Sequence, residues 1–226
     1  MSLPQENGTK ANSPVVCVFC GSAPGTSPAH ISQARALAQT FHQHGIKLVF
    51  GGGTSGVMGA LAAELVRLSG PSAVHGVIPT ALIRFERNYD DVTEKEEKEK
   101  ADEMTFGKTT RVPDMHTRKQ TMVREVLEGG PGSGFVALSG GYGTLEELME
   151  ITTWNQLGIH DKPIVIFNVE GYWEGLLHWI QTATEAGFVR KGNAEILVEA
   201  HSAEDVVERL RDYETAGGRL ELDWEK

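Results

Sequence analysis

Cysteine, basic clusters and long apolar runs are all scarce in this 226-residue chain, and each scarcity removes a class of function. No apolar stretch approaches the roughly 18 residues of a membrane span, and Met1 to Ser13 is mainly polar, without the apolar core of a signal peptide. The expectation is a cytoplasmic protein with no membrane partner and a disordered leader over residues 1–13. Lys and Arg number 21 against 31 Asp and Glu, a net charge of -10. A polyphosphate backbone is repelled by such a surface, and no local basic patch offsets it, so no nucleic-acid partner is expected. The two cysteines, Cys17 and Cys20, form C-x-x-C inside a strand pattern. Side chains three apart on a strand point to opposite faces, so the pair can neither bridge nor chelate, and two buried, reduced thiols are expected. H-E-x-x-H, G-x-S-x-G and histidine pairs at zinc spacing are absent, which leaves hydrolysis by a metal or by serine without support and assigns no metal ligand.

What the chain has is alternation. Apolar runs of strand length recur at Val15 to Phe19, Ile46 to Phe50, Ala73 to Ile78, Phe135 to Leu138, Ile164 to Phe167 and Ile196 to Val198. Helical spacing fills Ala29 to His44, Val57 to Leu68, Met115 to Leu127, Thr144 to Leu157, Tyr172 to Ala186 and Ala203 to Tyr213. Continuous apolar strands separated by helices predict an α/β fold, a single Rossmann-like, doubly wound parallel sheet with helices on both faces. One domain over residues 14–216, with a C-terminal tail at 217–226, accounts for the length. The stretch Arg84 to Val112 breaks the rhythm. Its core, Glu94 to Lys100, is made of Glu and Lys and reads as a solvated helix or mobile loop, with a lid over a ligand as the alternative. Gly129 to Gly134 reads as a flexible turn.

Three strand ends carry glycine, at Gly21-Ser22, Gly51 to Gly53 and Gly140 to Gly143, and ligands of doubly wound sheets bind beyond such ends. Gly51, Gly53 and Gly56 match G-x-G-x-x-G, but the next strand ends Val77-Ile78-Pro79-Thr80 with no acid for a ribose, which argues against a nicotinamide cofactor. Gly107-Lys108-Thr109 imitates the close of a Walker loop, yet the leading glycine position is Asp102.

The informative string is Ser139-Gly140-Gly141-Tyr142-Gly143-Thr144-Leu145-Glu146-Glu147, after an apolar strand and at the opening of a helix. Glycines let an anion approach the backbone, and the first helical turn presents unpaired N–H groups and a positive dipole end. The string predicts a phosphate cradle with the Glu147 carboxylate nearby. It is also compatible with a capping box in which Thr144 and Glu147 satisfy each other's backbone N–H groups. In the preceding helix, Met115, Met122 and Val126 define one face, and Arg118 falls on it. A guanidinium turned inward needs an anion, either a nearby carboxylate or a ligand phosphate. Lys119 adds a second positive charge at the mouth.

Ser139 to Glu147, with Met115-His116-Thr117-Arg118-Lys119, resembles the paired signatures P-G-G-x-G-T-x-x-E and M-H-x-R-K of the Lonely guy family of cytokinin riboside 5'-monophosphate phosphoribohydrolases, often labelled lysine decarboxylases. The likeness extends through Cys20-Gly21-Ser22, Gly51 to Gly59, Val77-Ile78-Pro79 and Trp154-Asn155-Gln156-Leu157-Gly158-Ile159-His160. Ser139 stands where the pattern has proline, which removes a fixed backbone angle at the cradle's entrance.

The resemblance implies hydrolysis of the N-glycosidic bond of a purine nucleoside 5'-monophosphate to free base and ribose 5-phosphate, without a cofactor. It implies Arg118 and Glu147 as the catalytic pair and Gly140, Gly141, Gly143 and Thr144 on the phosphate. Gly21, Ser22, Gly53, Thr54 and Met115 would line the base side, with Lys119 contributing field. It further implies a homodimer, with Trp154, Leu157 and the Met115 helix as contacts. Two other classes stay open: a nucleotide-binding or carrier protein without turnover, and a nicotinamide oxidoreductase.

Overall fold

The computed structural model describes residues 12–83 and 95–224. Most of the expected leader, and residues 84–94 of the charged stretch, therefore lie outside the described residues. Among the described residues seven strands form one parallel sheet in the order β4-β3-β2-β1-β5-β6-β7. They are β1 (Val15–Phe19), β2 (Lys47–Phe50), β3 (Val74–Pro79), β4 (Lys108–Val112), β5 (Gly134–Ala137), β6 (Ile164–Phe167) and β7 (Leu197–Ala200). Among the described residues the α-helices are α1 (Pro28–Gln43), α2 (Gly56–Ser69), α3 (Lys95–Phe106), α4 (Met115–Glu128), α5 (Tyr142–Gln156), α6 (Glu174–Glu185) and α7 (Ala203–Arg211).

Alternate strand residues feed two separate cores. Val16, Val18, Leu48, Phe50, Val136 and Phe167 pack under α1, α2 and α7. Cys17, Phe19, Val49, Phe135, Ile164 and Ile166 pack under α4, α5 and α6. Helices on both faces explain why the strands lack a polar side. The expected doubly wound sheet is therefore present. Cys17 and Cys20 are buried thiols that belong to opposite cores, as the strand geometry required.

The described part of the charged stretch is the helix α3, one of the two expected forms, followed by β4, a strand that was not expected. Its sequence, Lys-Thr-Thr-Arg-Val, pairs only with β3 and is mostly exposed, so an edge strand here needs no apolar run to announce it. The turn before β5 is also tied down: Gly130 N–H donates to Ser13 O, and Ser133 Oγ accepts from Val15 N–H. Among the described residues no helix is long and apolar enough to cross a membrane.

The sheet order reverses between β1 and β5, so their carboxyl ends diverge into a crevice. Three loops are stitched together there. Gly21 N–H donates to Ser139 O at 3.0 Å, and Met58 N–H donates to Gly21 O at 3.1 Å. Gly56 has φ +59°, and a Cβ on it would come within 2.4 Å of the Ser22 backbone, so only glycine can occupy this crossing.

Candidate active site

The glycine loop after β5 leads into α5 with Gly141 as N-cap and no side-chain cap. The first intrahelical bond runs from Leu145 N–H to Gly141 O at 3.1 Å, which leaves the N–H groups of Tyr142, Gly143 and Thr144 without a backbone partner among the described residues. The capping box, the alternative reading of this string, does not form. α5 begins two residues earlier than the expected Thr144, which puts Thr144 inside the first turn, and its hydroxyl packs on Gly140, where a Cβ would lie 2.1 Å from it. Glu147 is a turn further on and makes no bond to the cap. A Cβ on Gly141 or Gly143 would meet nothing within 4 Å, so these two glycines border open space at a positive helix end.

Glu147 and Arg118 come together inside the protein. Each is about 8% exposed, and Arg118 Nη2 lies 3.6 Å from Glu147 Oε1, close enough to attract but too far for a hydrogen bond. Glu147 Oε1 and Arg118 Nε are both buried without a hydrogen-bond partner. Buried polar atoms are rarely left in this state, because each costs about 1–3 kcal/mol, and such pairs of orphans mark places that await a ligand or water. Burial pushes the Glu147 carboxyl up to about 7, and the positive charge of Arg118 only partly opposes it. A carboxyl balanced near neutrality can give or take a proton at working pH. The pair lies close enough to β1 to act on Cys17, whose thiol is pushed well up by burial first and by the Glu147 charge second.

Arg118 reaches this position because residue 51 is glycine. A Cβ there would stand 2.0 Å from the guanidinium and 3.4 Å from Met58 Sδ. The G-x-G-x-x-G pattern thus serves packing: Gly51 seats Arg118 and Gly56 admits the Ser22 backbone. Gly51 was missed as a site residue in the sequence, and only the inward turn of Arg118 hinted that some neighbour must make room.

The remaining candidates scatter around this centre. Lys119 Nζ contacts Glu146 Oε1 at 2.6 Å and Glu150 Oε1 at 3.0 Å, so its charge ties α4 to α5 instead of standing alone at the mouth. Met115 opens α4 behind an Asp114 cap and is 40% exposed, with its sulfur 3.8 Å from Arg118 Nη1. Gly21 and Ser22 line a cavity of about 360 Å³ with His30, Val57, Ser139 and Gly140. Gly53 and Thr54 follow β2 and pack on α2, where a Cβ on Gly59 would lie 2.1 Å from Thr54 O.

A larger, apolar cavity of about 620 Å³ lies between α5 and α6, lined by Tyr142, Leu145, Met149, Tyr172, Leu176 and Trp179. It flanks the glycine loop on the side of α5 away from Glu147, so size alone does not locate the chemistry; the buried pair does. The stretch Trp154 to His160 terminates α5. Gly158 takes φ +77°, Asn155 Nδ2 donates to Lys162 O, and His160 Nδ1 accepts from Lys162 N–H while Nε2 faces Ile151 O at 2.8 Å. Burial holds the His160 pKa down, in keeping with a neutral ring that accepts at Nδ1 and donates at Nε2. The C-terminal residues dock on this end, with Arg219 Nε donating to Asn155 O at 2.8 Å and Trp224 Nε1 to Leu157 O at 3.1 Å.

Residues 58–210 match the family model described as possible lysine decarboxylase. The bifunctional cytokinin biosynthesis protein of Fusarium pseudograminearum is 48% identical over 213 residues, 93% of this chain, although the chain spans only 42% of that protein's length. The cytokinin riboside 5'-monophosphate phosphoribohydrolase LOG1 of Arabidopsis thaliana is 40% identical over 88% of this chain and 83% of its own. Among solved structures, the molybdenum cofactor binding protein of Rippkaea orientalis superposes with a TM-score of 0.58 at 18% identity, covering 88% of this chain and 96% of its own. The molybdenum cofactor carrier protein of Chlamydomonas reinhardtii gives 0.58 at 16%, with the same two coverages. Identities this low establish a shared fold and nothing further. The sequence matches do more: with a family model spanning most of the chain and relatives at 40% identity over most of their own length, the chain belongs to the Lonely guy family of cytokinin riboside 5'-monophosphate phosphoribohydrolases, the group described as possible lysine decarboxylases.

Proposed function

We propose that the protein hydrolyses the N-glycosidic bond of cytokinin riboside 5'-monophosphates, and of AMP, releasing the free base and ribose 5-phosphate. The observation that carries this reading is the orphaned pair: Glu147, its carboxyl pushed up to about 7, held 3.6 Å from Arg118 beside a helix end whose first three N–H groups have no backbone partner among the described residues. In this reading the 5'-phosphate is held by the backbone of Gly140, Gly141, Gly143 and Thr144, which places the anomeric carbon near Glu147. The C1'–N bond breaks with its electron pair leaving on the base, and water adds its oxygen to C1'. Positive charge that develops on the ribose ring is stabilised by the ionised carboxylate, which also takes the proton of the attacking water; a proton then passes through solvent to the departing base, which leaves neutral, and the carboxylate is restored. Arg118 clamps phosphate or ribose and supports the departing base. Lys119 acts indirectly, since its bonds to Glu146 and Glu150 keep the helix of Arg118 against the helix of Glu147. Gly21, Ser22, Gly53, Thr54 and Met115 form the approach on the base side.

Incubation with AMP and with isopentenyladenosine monophosphate tests the reading. Free base and ribose 5-phosphate are expected from the wild-type protein. Glu147→Gln should abolish their release while nucleotide still binds. A carrier without turnover would bind and release nothing in both proteins, and that outcome would reject the hydrolase. We further propose that the protein is a cytoplasmic homodimer, with an interface other than the contacts the resemblance implies: Trp154 packs against the core, and the second copy instead covers the apolar groove between α5 and α6, where Tyr142 is 95% and Trp179 52% exposed. Sedimentation at twice the 24.6 kDa chain mass is expected, and Trp179→Glu should shift it toward the monomer.

A further inference from the structure

The glycine loop is gripped from three directions. Its first residue, Ser139, is buried; its carbonyl accepts the Gly21 N–H at 3.0 Å, and its Oγ lies 2.9 Å from His30 Nδ1, a hydrogen bond across 109 residues of sequence. The next carbonyl, Gly140 O, accepts the phenol O–H of Tyr172. His30 and Tyr172 meet edge to face with ring centres 5.8 Å apart, so the two side chains that hold the loop also brace each other. His30 sits in the first turn of α1, and Gly25, with φ +75°, packs against its ring: a Cβ there would come within 2.8 Å of His30 Cδ2. Among the described residues, His30, Ser139 and Tyr172 make no hydrogen bond or ion pair to Arg118 or Glu147.

Ser139 is also the position at which this chain departs from the proline of the family pattern. A proline would fix the backbone angle at the loop's entrance and would forfeit no backbone bond, since the Ser139 N–H has no backbone partner among the described residues. Serine removes that restraint, and the loop would gain freedom that phosphate binding must then remove. The hydroxyl that serine brings is the atom His30 holds.

We propose that His30 is a positioning residue of the phosphate loop: its hydrogen bond to Ser139 holds the loop's entrance in place, a restraint of the kind a proline at that position would supply through its fixed backbone angle. The inference rests on the phosphate-binding reading proposed above. It concerns how the loop is pre-ordered, not which group reacts. Because the loop grips the phosphate equally before and during reaction, loss of the clamp weakens binding and leaves the chemical step alone. One neutral hydrogen bond is worth on the order of fivefold in affinity.

The experiment compares wild type, His30→Ala, His30→Asn, Ser139→Ala and the double variant His30→Ala/Ser139→Pro. Binding of inorganic phosphate is measured by calorimetry, and KM and kcat with AMP. His30→Ala and Ser139→Ala should each raise the phosphate Kd and the KM about fivefold with kcat within twofold. His30→Asn, whose amide can occupy the place of Nδ1, should stay near wild type, and the double variant should recover at least half of the loss. Unchanged phosphate affinity in both single alanine variants would overturn the proposal, as would a double variant no tighter than His30→Ala. A role limited to stability would lower the melting temperature of His30→Ala and leave Kd and KM alone, which also overturns it. Absence of base release from wild type would reject the hydrolase, whereas the phosphate affinities would still decide the role of His30.

Discussion

Replacing Glu147 by glutamine should make the protein more stable at alkaline pH even as it removes base release. Burial lifts this carboxyl from its ordinary value of 4.5 to about 7, against the pull of Arg118 3.6 Å away. Between those two values the unfolded chain has ionised its glutamate, and the folded chain still holds the proton. Wild-type stability therefore falls as pH rises from about 4.5 to about 7 and stays at the lower level beyond, the reverse of the usual salt-bridged carboxylate. At about 1.4 kcal/mol for each tenfold change in proton affinity, the interval amounts to about 3 kcal/mol. Glutamine is neutral at every pH and escapes this loss. The stability of Glu147→Gln relative to wild type should thus rise by up to about 3 kcal/mol between acid and alkaline conditions, roughly 6–12 °C in Tm for a chain of this length. Urea unfolding of both proteins at a series of pH values from about 4.5 to about 8.5 measures the difference directly. A difference that is flat across the range, or that grows toward acid, would refute the assignment of a desolvated carboxyl at this position.

Three other outcomes follow from the same geometry. Arg118→Ala removes the one neighbour that most lowers the Glu147 pKa, so that pKa should move further up, seen as an alkaline displacement of the Glu147 carboxyl titration in NMR; base release should fall by a factor of about a hundred or more. Gly51→Ala should fold, because the atom its Cβ meets is the movable end of a side chain, yet the displaced guanidinium should cost most of the activity; near-native Tm with base release above half of wild type would contradict this. Lys119→Met breaks two contacts, at 2.6 and 3.0 Å, that join α4 to α5, and should lower stability in urea by about 1–2 kcal/mol with a smaller effect on turnover than Arg118→Ala.

Much of the architecture was written in hydrophobic pattern. β1 and β6 have the expected limits, and the other expected strands and the helices lie within about two residues of theirs, because buried parallel strands must be continuously apolar and the helices between them must show a 3.6-residue stripe. β4 escaped because an edge strand paired on one side carries Lys, Thr and Arg without penalty. The alternative of a capping box at Thr144 is excluded for a different reason. Thr144 and Glu147 have the right spacing, but α5 starts at Tyr142, so both residues are already helical and the cap falls to Gly141. Spacing cannot specify which residue a helix begins on when glycines on either side permit several starts.

What the amino-acid order determined alone was the class of fold, the inward face of Arg118, the location of a glycine-rich loop at a helix start and the separation of Cys17 from Cys20, since each follows from local periodicity. Only the tertiary structure decided that Arg118 meets Glu147 without a hydrogen bond, that Gly51 makes the seat for its guanidinium, that Lys119 is consumed in tying two helices together and that His30 reaches Ser139. Those contacts join residues between 27 and 109 positions apart. Their strength is set by burial and by the crossing of the β1, β2 and β5 ends, and neither quantity exists until the sheet has closed over its two cores.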